Sequence, residues 1–287
     1  MRTIENALLF AQKLGIKDIR LTGGEPTIHP NFINIIENIY GKGYQIGLIS
    51  NGVNLIRNNK YSDAIKKIDR LWLSVYSPKE SKHHQIAGQH ALSTDNILAF
   101  AAKSIRNNNF VGISCLLTPG DSCSVVSFID RCLSVGVKRL RFLPFEPEGR
   151  AATLIPKNDI LKFREECYEI YKTLQKYNSS QFQHLSINNP FDLGLEFASD
   201  PTSSCLLTKR KMYSITPDAS IYNCCFNAYE ISAKLGKCES DLDLSIYEDN
   251  ATSLKIGCKG LDKTYWGSLI GNTTCPIRGL NVIKNCY

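Results

Sequence analysis

Residues 18–26 read Asp18-Ile19-Arg20-Leu21-Thr22-Gly23-Gly24-Glu25-Pro26, a short strand pattern that runs directly into two glycines, a glutamate and a proline. Apolar residues at helical spacing over residues 4–14 predict a helix just before it. A helix that leads into a strand with a glycine-rich end is the repeating unit of a parallel sheet. The stretch therefore predicts the fold class, which is α/β.

The same unit recurs through the first half of the chain. Further helices are predicted at residues 31–40, 62–67, 94–105 and 124–134, and further strands at 44–49, 70–75, 110–116 and 137–143. The strands are almost continuously apolar, as expected when helices cover a parallel sheet. Five strands at this spacing predict a partial barrel or a doubly wound sheet.

The pattern changes after Pro144. Pro156 begins a long helix that is predicted to end near Lys176, and residues 178–201 form a connector of low regularity. Short β segments then follow, joined by the turn Thr216-Pro217-Asp218-Ala219. We predict three parts: a core at 1–151, a helical connector at 152–204 and a small cysteine-rich α+β extension at 205–287.

Composition excludes several classes of protein. The 287 residues carry 34 Lys+Arg and 27 Asp+Glu, a formal net charge of +7 that is spread along the chain without a basic run. No nucleic-acid partner is therefore expected. No apolar run approaches the roughly 18–20 residues that span a bilayer, and no export signal is recognisable, so we expect a cytoplasmic protein without membrane contact.

The 11 cysteines are unevenly placed, and none occurs before Cys115. Without an export signal, they indicate thiols or metal ligands rather than disulfides. Four of them occupy predicted strand or helix positions and are expected in the core: Cys115, Cys123, Cys132 and Cys167.

Candidate ligand-binding residues follow the strands, because ligands of parallel α/β sheets bind beyond the carboxyl ends of the strands. Gly23 and Gly24 allow a ligand to approach the backbone closely, and Glu25 presents a carboxylate there. A tight turn with a solvated glutamate is the alternative.

Five motifs in register resemble those of the radical S-adenosylmethionine enzymes, with Gly23-Gly24-Glu25-Pro26 as the family's Gly-Gly-Glu-Pro loop. The five are Leu21–Thr27, Ile49–Gly52, Leu73–Ser77, His83–Gly88, and Arg141–Pro144 together with Gly149–Ala151. The resemblance covers residues 1–151 and implies a partial (β/α)6 TIM-like barrel that lacks its first strand.

This resemblance implies a cofactor and the residues that bind it. Gly23, Gly24 and Glu25 would hold the amino group of S-adenosylmethionine, while Ser74 and Ser50 would contact its ribose or carboxylate oxygens. Packing inside the barrel is the alternative for both serines. A reduced [4Fe–4S] cluster, supplied with electrons by a flavodoxin or ferredoxin, would cleave the cofactor to a 5′-deoxyadenosyl radical.

The family's cluster-binding motif, Cys-x-x-x-Cys-x-x-Cys, does not occur in the sequence. Because residues 4–14 resemble the first helix of the barrel, we expect the first strand and its cysteine loop upstream of Met1. The alternative is a degenerate relative that has lost the cluster.

The last third resembles the opening of a SPASM or twitch extension, which holds auxiliary iron–sulfur clusters through cysteine thiolates. Cys205 and Cys224 flank Ala219, which stands where that pattern has glycine. The resemblance implies one auxiliary cluster, with Cys258, Cys275 and Cys286 as candidate later ligands. Reduced structural thiols are the alternative.

Together these features predict a radical enzyme that modifies a peptide or protein, similar to the maturases of ribosomally made peptides. One alternative is a radical enzyme of small-molecule cofactor biosynthesis. The other is a non-catalytic relative that acts as a binding subunit. His83, His84, Arg141 and Arg150 are candidate substrate contacts, although a surface loop would equally explain the two histidines.

Overall fold

The computed structural model describes residues 2–106, 110–145, 159–188, 213–222, 234–238 and 279–283. The helices in these ranges are α1 (Arg2–Lys13), α2 (Phe32–Gly41), α3 (Val53–Arg57), α4 (Ser62–Lys66), α5 (Glu80–Ala87), α6 (Thr94–Arg106), α7 (Ser122–Ser134) and α8 (Asp159–Leu174). The strands are β1 (Asp18–Leu21), β2 (Gln45–Ser50), β3 (Arg70–Val75), β4 (Phe110–Leu117), β5 (Arg139–Pro144), β6 (His184–Asn188), β7 (Ser214–Ile215), β8 (Ser220–Tyr222), β9 (Lys234–Lys237) and β10 (Gly279–Ile283). Short 3₁₀ turns occupy Pro26–Ile28 and Asn59–Tyr61.

The chain divides into two compact units. The larger comprises Asp18–Asn189 and Gly279–Tyr287, and the smaller comprises Met1–Lys17 and Pro190–Arg278. The predicted boundaries at 151/152 and 204/205 lie outside the described residues and stay predictions.

The larger unit contains one sheet in which β1 to β6 are parallel and lie side by side in chain order, with β10 antiparallel on β6. Parallel crossovers are right-handed, so strands in sequential order place their connecting helices on one face. This arrangement confirms the predicted α/β fold of a partial TIM-like barrel.

The helix-covered face of this sheet forms the core. Its side chains are at most 1% exposed, and α2, α6 and α8 pack against the strands. These side chains belong to Ile46, Leu48, Leu71, Leu73, Val75, Val111, Ile113, Leu117, Leu140, Phe142, Leu185 and Ile187. Burial of such a set is the main favourable term in folding.

Alternate strand residues point to the opposite side, which we call the open face. It is defined by Arg70, Trp72, Ser74, Phe110, Gly112, Ser114, Arg139, Arg141, His184 and Ser186. Most of these residues are only half-buried, unlike their helix-covered neighbours. The Trp72 indole lies across Gly112, where an added Cβ would come within 2.6 Å of the ring. Glycine is therefore required at that position to admit the indole.

Two sequence-based expectations about this unit were wrong. Residues 184–188 were assigned to the irregular connector, yet they form β6, because β5 and β10 supply backbone partners on both sides. The alternation of polar and apolar residues in these five positions is too weak to predict a strand without knowledge of its neighbours. The polar segment near His83 was expected to be a loop, but Glu80–Ala87 is the helix α5.

The smaller unit combines α1 with a three-stranded antiparallel sheet of β7, β8 and β9. Phe10, Ile221 and Cys238 form its buried cluster, and Phe10 packs edge-on against Tyr213 with ring centroids 5.2 Å apart. The Asn6 amide donates to the Cys238 carbonyl at 3.1 Å. The amphipathic pattern that predicted α1 thus reflects packing on this small sheet.

Cysteine placement follows the core prediction with one exception. Cys115, Cys132 and Cys167 are buried, as expected, whereas Cys123 is exposed at the start of α7. Burial raises the pKa of Cys238 to about 11 and that of Cys132 to about 12, so both stay thiols at neutral pH.

No helix in the described ranges combines the length and the apolar character that crossing a bilayer requires.

The turn between β7 and β8 places Ala219 at φ 65°, in the left-handed region. The Asp218 carboxylate accepts hydrogen bonds from Thr216 Oγ1 at 2.5 Å and Ser220 Oγ at 2.6 Å, which fix the turn. Glycine adopts this backbone conformation without the steric penalty of a Cβ. This left-handed conformation explains why the SPASM or twitch pattern has glycine at the position that Ala219 occupies here.

We expect Ala219→Val to lower the stability of the smaller unit by about 1–2 kcal/mol, because a β-branched residue is strained at positive φ. Ala219→Gly is the matched control and should change stability by less. Hydrogen exchange of the Cys238 amide, which donates to the Ala219 carbonyl at 2.7 Å, measures the effect. Equal protection in both variants would contradict the expectation.

His184 on β6 makes stability depend on pH. Burial, followed by the positive charges of Arg141 and Arg139, lowers its pKa from 6.5 to about 4. The unfolded chain therefore takes up a proton more readily than the folded chain between these two values, and stability falls as pH drops from about 6.5 to about 4. We expect His184→Gln to remove on the order of 1–2 kcal/mol of that loss, after allowance for partial exposure. Urea titrations of both proteins at pH 7 and pH 4.5 test this, and parallel losses would refute it.

Candidate functional site

The loop after β1 is shaped by glycine and proline. Gly23 has φ 138°, a conformation that side chains disfavour, and both Gly23 and Gly24 are exposed. Pro26 then opens the 3₁₀ turn, and the Glu25 carboxylate caps it by accepting from the Thr27 amide at 3.1 Å. The sequence thus fixes where Glu25 points.

Glu25 joins the ends of β1 and β2. Its Oε1 also accepts from Thr27 Oγ1 at 2.6 Å and from Ser50 Oγ at 2.8 Å, while Oε2 accepts from the Asn51 amide at 2.7 Å. Each carboxylate oxygen offers about two acceptor sites, so Oε2 retains room for a further donor. Among the described residues, no basic side chain lies within ion-pair distance of Glu25.

A buried shell holds the partners of Glu25. Thr27 is 1% exposed, and its carbonyl accepts from Tyr61 Oη at 3.1 Å and Asn54 Nδ2 at 3.2 Å. Ser50 is 2% exposed, and its Oγ accepts from the Gly52 amide at 3.0 Å while donating to Glu25. Because the donors around it are fixed, the carboxylate is held in one orientation.

An open cavity of about 180 Å³ lies beside this carboxylate, beyond the carboxyl ends of β1, β2 and β3. Polar groups from Glu25, Asn51 and Tyr76 contribute to its wall. The remaining lining residues are mainly apolar or histidine: Ile28, Val53, Ala87, Ala91, Leu92, Ile97, His83 and His90, together with Asn54. A fixed carboxylate in such a cavity suits a ligand with a cationic group and an apolar or aromatic part.

The pKa of Tyr76 depends on its burial and on the charge of Glu25. Burial, followed by the negative charge of Glu25, raises the pKa of the Tyr76 phenol above its ordinary value. Tyr76 follows β3 directly and was not among the residues chosen from the sequence as cofactor ligands. Tyr76 and Glu25 both line the cavity.

His83 is a buried residue of the helix α5, so a surface loop, the alternative explanation for it, is wrong. It is 1% exposed, its Nδ1 accepts from the Tyr76 amide at 3.0 Å, and Nε2 lies 2.9 Å from the Leu92 carbonyl. These partners assign the proton to Nε2 of a neutral ring. Burial lowers the pKa of His83, in agreement with that assignment. The ring therefore holds the segment after β3 in place.

Asp121 is a second positioning residue, which the sequence analysis did not single out. It is fully buried and accepts from Ser77 Oγ at 2.9 Å, Thr118 Oγ1 at 2.9 Å and the Thr118 amide at 2.7 Å. The Lys82 ammonium lies 3.3 Å away. Because Ser77 follows β3 and Thr118 follows β4, the carboxylate ties these two strand ends together. Only the Thr-x-x-Asp spacing before α7 could have indicated it.

The structure brings together some of the predicted site residues. Ser50 donates a hydrogen bond to Glu25, which directly follows Gly23 and Gly24 in the loop after β1. Ser74 lies half-buried on the open face, in register with Ser114. Their roles toward a cofactor stay predictions.

The predicted metal ligands Cys205, Cys224, Cys258, Cys275 and Cys286 lie outside the described residues, as does Arg150. Within the part of the chain that the structure describes, no group of three or more His, Cys, Asp or Glu residues could hold a metal ion.

No family model matches the sequence. Among curated proteins, the chain is 23% identical over 252 residues to a GTP 3′,8-cyclase of Staphylococcus epidermidis, a match that covers 82% of this chain and 71% of that protein. It is 22% identical over 175 residues to a probable GTP 3′,8-cyclase of Saccharolobus islandicus, covering 60% of this chain. The match spans only 56% of that relative's length.

Solved structures share the fold. Streptococcus suis SuiB bound to the precursor peptide SuiA matches 89% of this chain and 59% of that chain, with a TM-score of 0.62 and 15% identity. Native anSMEcpe with bound S-adenosylmethionine matches 95% and 79%, with a TM-score of 0.60 and 14% identity. These relatives and neighbours are radical S-adenosylmethionine enzymes, which confirms the predicted resemblance.

We expect Glu25→Gln to lower the pKa of Tyr76 towards 10.0 without reaching it, because burial, the larger cause of its elevation, remains. Carbon-13 NMR of the tyrosine Cζ atoms measures the titration, and a Tyr76→Phe spectrum assigns the signal among the 13 tyrosines. Glu37→Gln removes a surface carboxylate that pairs with Lys67 and serves as the control. An unchanged Tyr76 titration in Glu25→Gln would mean that the two groups do not share the cavity.

Proposed function

We propose that this chain, a relative of the radical S-adenosylmethionine enzymes, binds S-adenosylmethionine in the cavity beside Glu25 and uses it to abstract hydrogen from a peptide or protein substrate. The observation that carries the proposal is the Glu25 carboxylate. It is held by four hydrogen bonds and lines the cavity at the carboxyl ends of β1 to β3.

The residues present fit the cofactor. An ammonium group on Glu25 Oε2 would form a charge-assisted hydrogen bond, which is stronger than a neutral one. Gly23 and Gly24 leave the neighbouring backbone accessible to it. The apolar part of the lining, which includes Leu92 and Ile97, would cover the cofactor's non-polar surface.

Once bound and reductively cleaved, S-adenosylmethionine supplies a 5′-deoxyadenosyl radical. The chain's own residues prepare the site for it. Ser50 and Thr27 hold Glu25 so that it needs no reorganisation when a cation arrives. His83 fixes the Tyr76 backbone, so the phenol stays as a wall that limits water around the ligand.

The residues described do not fit the catalytic [4Fe–4S] cluster, since they include no suitable cysteine group and the Cys-x-x-x-Cys-x-x-Cys spacing is absent from the sequence. Its ligands, and a reductant such as flavodoxin or ferredoxin, would have to come from elsewhere. We derive no step through the cluster. An auxiliary cluster at Cys205 and Cys224, which lie outside the described residues, remains part of the proposal.

Two observations bear on the substrate. The structural neighbour SuiB binds a precursor peptide, which supports a peptide substrate here. The curated relatives are GTP 3′,8-cyclases, which supports a small molecule as the alternative. A non-catalytic binding subunit is the third candidate, and the upstream DNA separates it from the other two.

We expect the 287-residue chain to bind S-adenosylmethionine and Glu25→Gln to weaken that binding by about tenfold or more, as loss of a charged hydrogen bond implies. Isothermal titration calorimetry measures both affinities. Thr27→Val is the matched control, because it removes one hydroxyl donor to Glu25 while the charge stays, and its loss should be smaller. No binding by the wild-type chain, or equal binding by Glu25→Gln, would overturn the cofactor assignment.

Catalysis is tested separately. The DNA upstream of the Met1 codon is read in frame, and if it encodes the cysteine triplet, the extended protein is reconstituted anaerobically with iron and sulfide. We expect 5′-deoxyadenosine in the presence of a reductant. Failure of this protein to form it would refute the enzymatic proposal, and a stop codon without the triplet would favour the binding subunit.

A further inference from the structure

One part of the cavity wall is a single stretch of chain that runs from α5 into α6. It contributes His83, Ala87, His90, Ala91, Leu92 and Ile97 to the lining. Tyr76, which directly follows β3, contributes another part. The position of one part relative to the other depends on the contacts between them.

His83 makes such a contact. Its ring is 1% exposed, its Nδ1 accepts from the Tyr76 amide at 3.0 Å, and its Nε2 lies 2.9 Å from the Leu92 carbonyl. The rings of Tyr76 and His83 also pack together, with centroids 5.8 Å apart. One imidazole therefore connects the segment after β3 with the segment before α6, and both of its nitrogens are used.

These hydrogen bonds require a neutral ring. Nδ1 accepts from the Tyr76 amide only while it carries no proton, because a protonated imidazole donates from both nitrogens. A proton on Nδ1 would face the N–H of Tyr76 and break that bond, whereas the bond from Nε2 to the Leu92 carbonyl would persist. Protonation thus acts on Tyr76, the residue that lines the cavity together with Glu25.

The charges on α5 do not replace the lost bond. Glu80 and His84 both act on the charge of His83. Each oxygen of the Glu80 carboxylate already accepts from the Thr94 amide at 3.1 Å, and Oε1 lies 2.9 Å from His84 Nε2. Glu80 is therefore engaged at the start of α6 rather than with the buried ring.

Other elements bring further titratable groups to this cavity, namely Tyr76 after β3, Glu25 after β1 and His90 after α5. Glu25 is held by its own loop and by the end of β2, and His90 is exposed. Burial is the largest influence on His83 and lowers the pKa of its ring. The ring in its buried position is therefore neutral at pH 7.

We infer that His83 is a proton-sensitive positioning residue: while neutral it holds Tyr76 in the cavity wall, and its protonation releases Tyr76 and weakens ligand binding. This inference rests on the proposed function, because it takes the cavity as the S-adenosylmethionine site. The released ring has an ordinary pKa of about 6.5 and the held ring a lower one, so release takes up a proton. Ligand affinity is therefore greatest above pH 6.5 and is lost as the pH falls below that value.

The first measurement needs no ligand. Hydrogen exchange of the Tyr76 amide is followed by NMR from pH 7.5 to pH 5.0 and divided by the intrinsic exchange rate at each pH, so that protection alone is compared. We expect protection to fall by about threefold or more in the wild-type chain. In His83→Gln it should change by less than about twofold, because the glutamine amide offers an acceptor and a donor but does not titrate. The range ends above the pKa of His184, about 4, so that residue stays mostly neutral.

Two exposed histidines provide matched controls. His84 is the neighbour of His83 on α5, and His90 lines the same cavity. In His84→Gln and in His90→Gln, the fall in protection should match that of the wild-type chain within about twofold. A fall that disappears in His90→Gln and persists in His83→Gln would assign the effect to His90 and overturn the inference. Protection that does not change with pH in the wild-type chain would also overturn it.

The second measurement is the affinity for S-adenosylmethionine over the same pH range, by calorimetry. We expect binding by the wild-type chain to be weaker at pH 5.0 than at pH 7.5 by about threefold or more, and the loss to be smaller in His83→Gln. Any titration of Glu25 occurs in both proteins and cancels from this comparison. Equal affinity of the wild-type chain at both pH values, or an equal loss in both proteins, would overturn the inference and leave the proposed function standing.

The two measurements separate this inference from the proposed function. If the chain binds no S-adenosylmethionine at any pH, the proposed function fails, and the Tyr76 amide still decides whether His83 holds that residue in a proton-sensitive way. Protection of the β4 amides shows whether each variant is folded. Should His83→Gln fail to fold, NMR of the wild-type chain decides. The chemical shifts of the His83 ring nitrogens and of the Tyr76 amide must then titrate with one midpoint, and separate midpoints would overturn the inference.

Discussion

The carboxylate of Glu25 is the interaction on which the candidate site depends. It accepts hydrogen bonds from its own loop through Thr27 and from the end of β2 through Ser50 and Asn51. Neighbouring parallel strands are paired along their lengths, but nothing in the ladder positions the loops beyond their ends. A charged acceptor shared by two loops supplies that order, at the place where a ligand would bind.

Sheet order is the second constraint. Because β1 to β6 follow one another in space as they do along the chain, right-handed crossovers place the connecting helices that the structure describes on one face of the sheet. Apolar residues fill the first face, and arginines, serines and aromatic rings occupy the second. Buried carboxylates and imidazoles then tie the strand ends, as Asp121 does for β3 and β4 and His83 does for β3 and α5.

The sequence predicted the first five strands and the loop with Glu25, because long apolar strands and paired glycines are local signals. It missed β6, whose five residues are a strand only because two others flank them. It also left a surface loop open as the alternative for His83. The hydrogen-bond partners of this imidazole, the Tyr76 amide and the Leu92 carbonyl, cannot be recognised from the spacing of residues in the sequence. Residues that act through partners distant in the chain need tertiary structure to be recognised. The cofactor roles of Ser50 and Ser74 and the metal roles of the late cysteines remain predictions.

Gly112 connects the packing of residues on three strands. Its missing side chain makes room for the Trp72 indole, and that indole supports the guanidinium of Arg141 two strands from its own. A methyl group at position 112 would displace the ring and with it the plane on which the arginine rests. A side chain at position 112 is therefore incompatible with the indole at position 72 as it lies here, so a change at Gly112 acts on the surroundings of Arg141 without touching it.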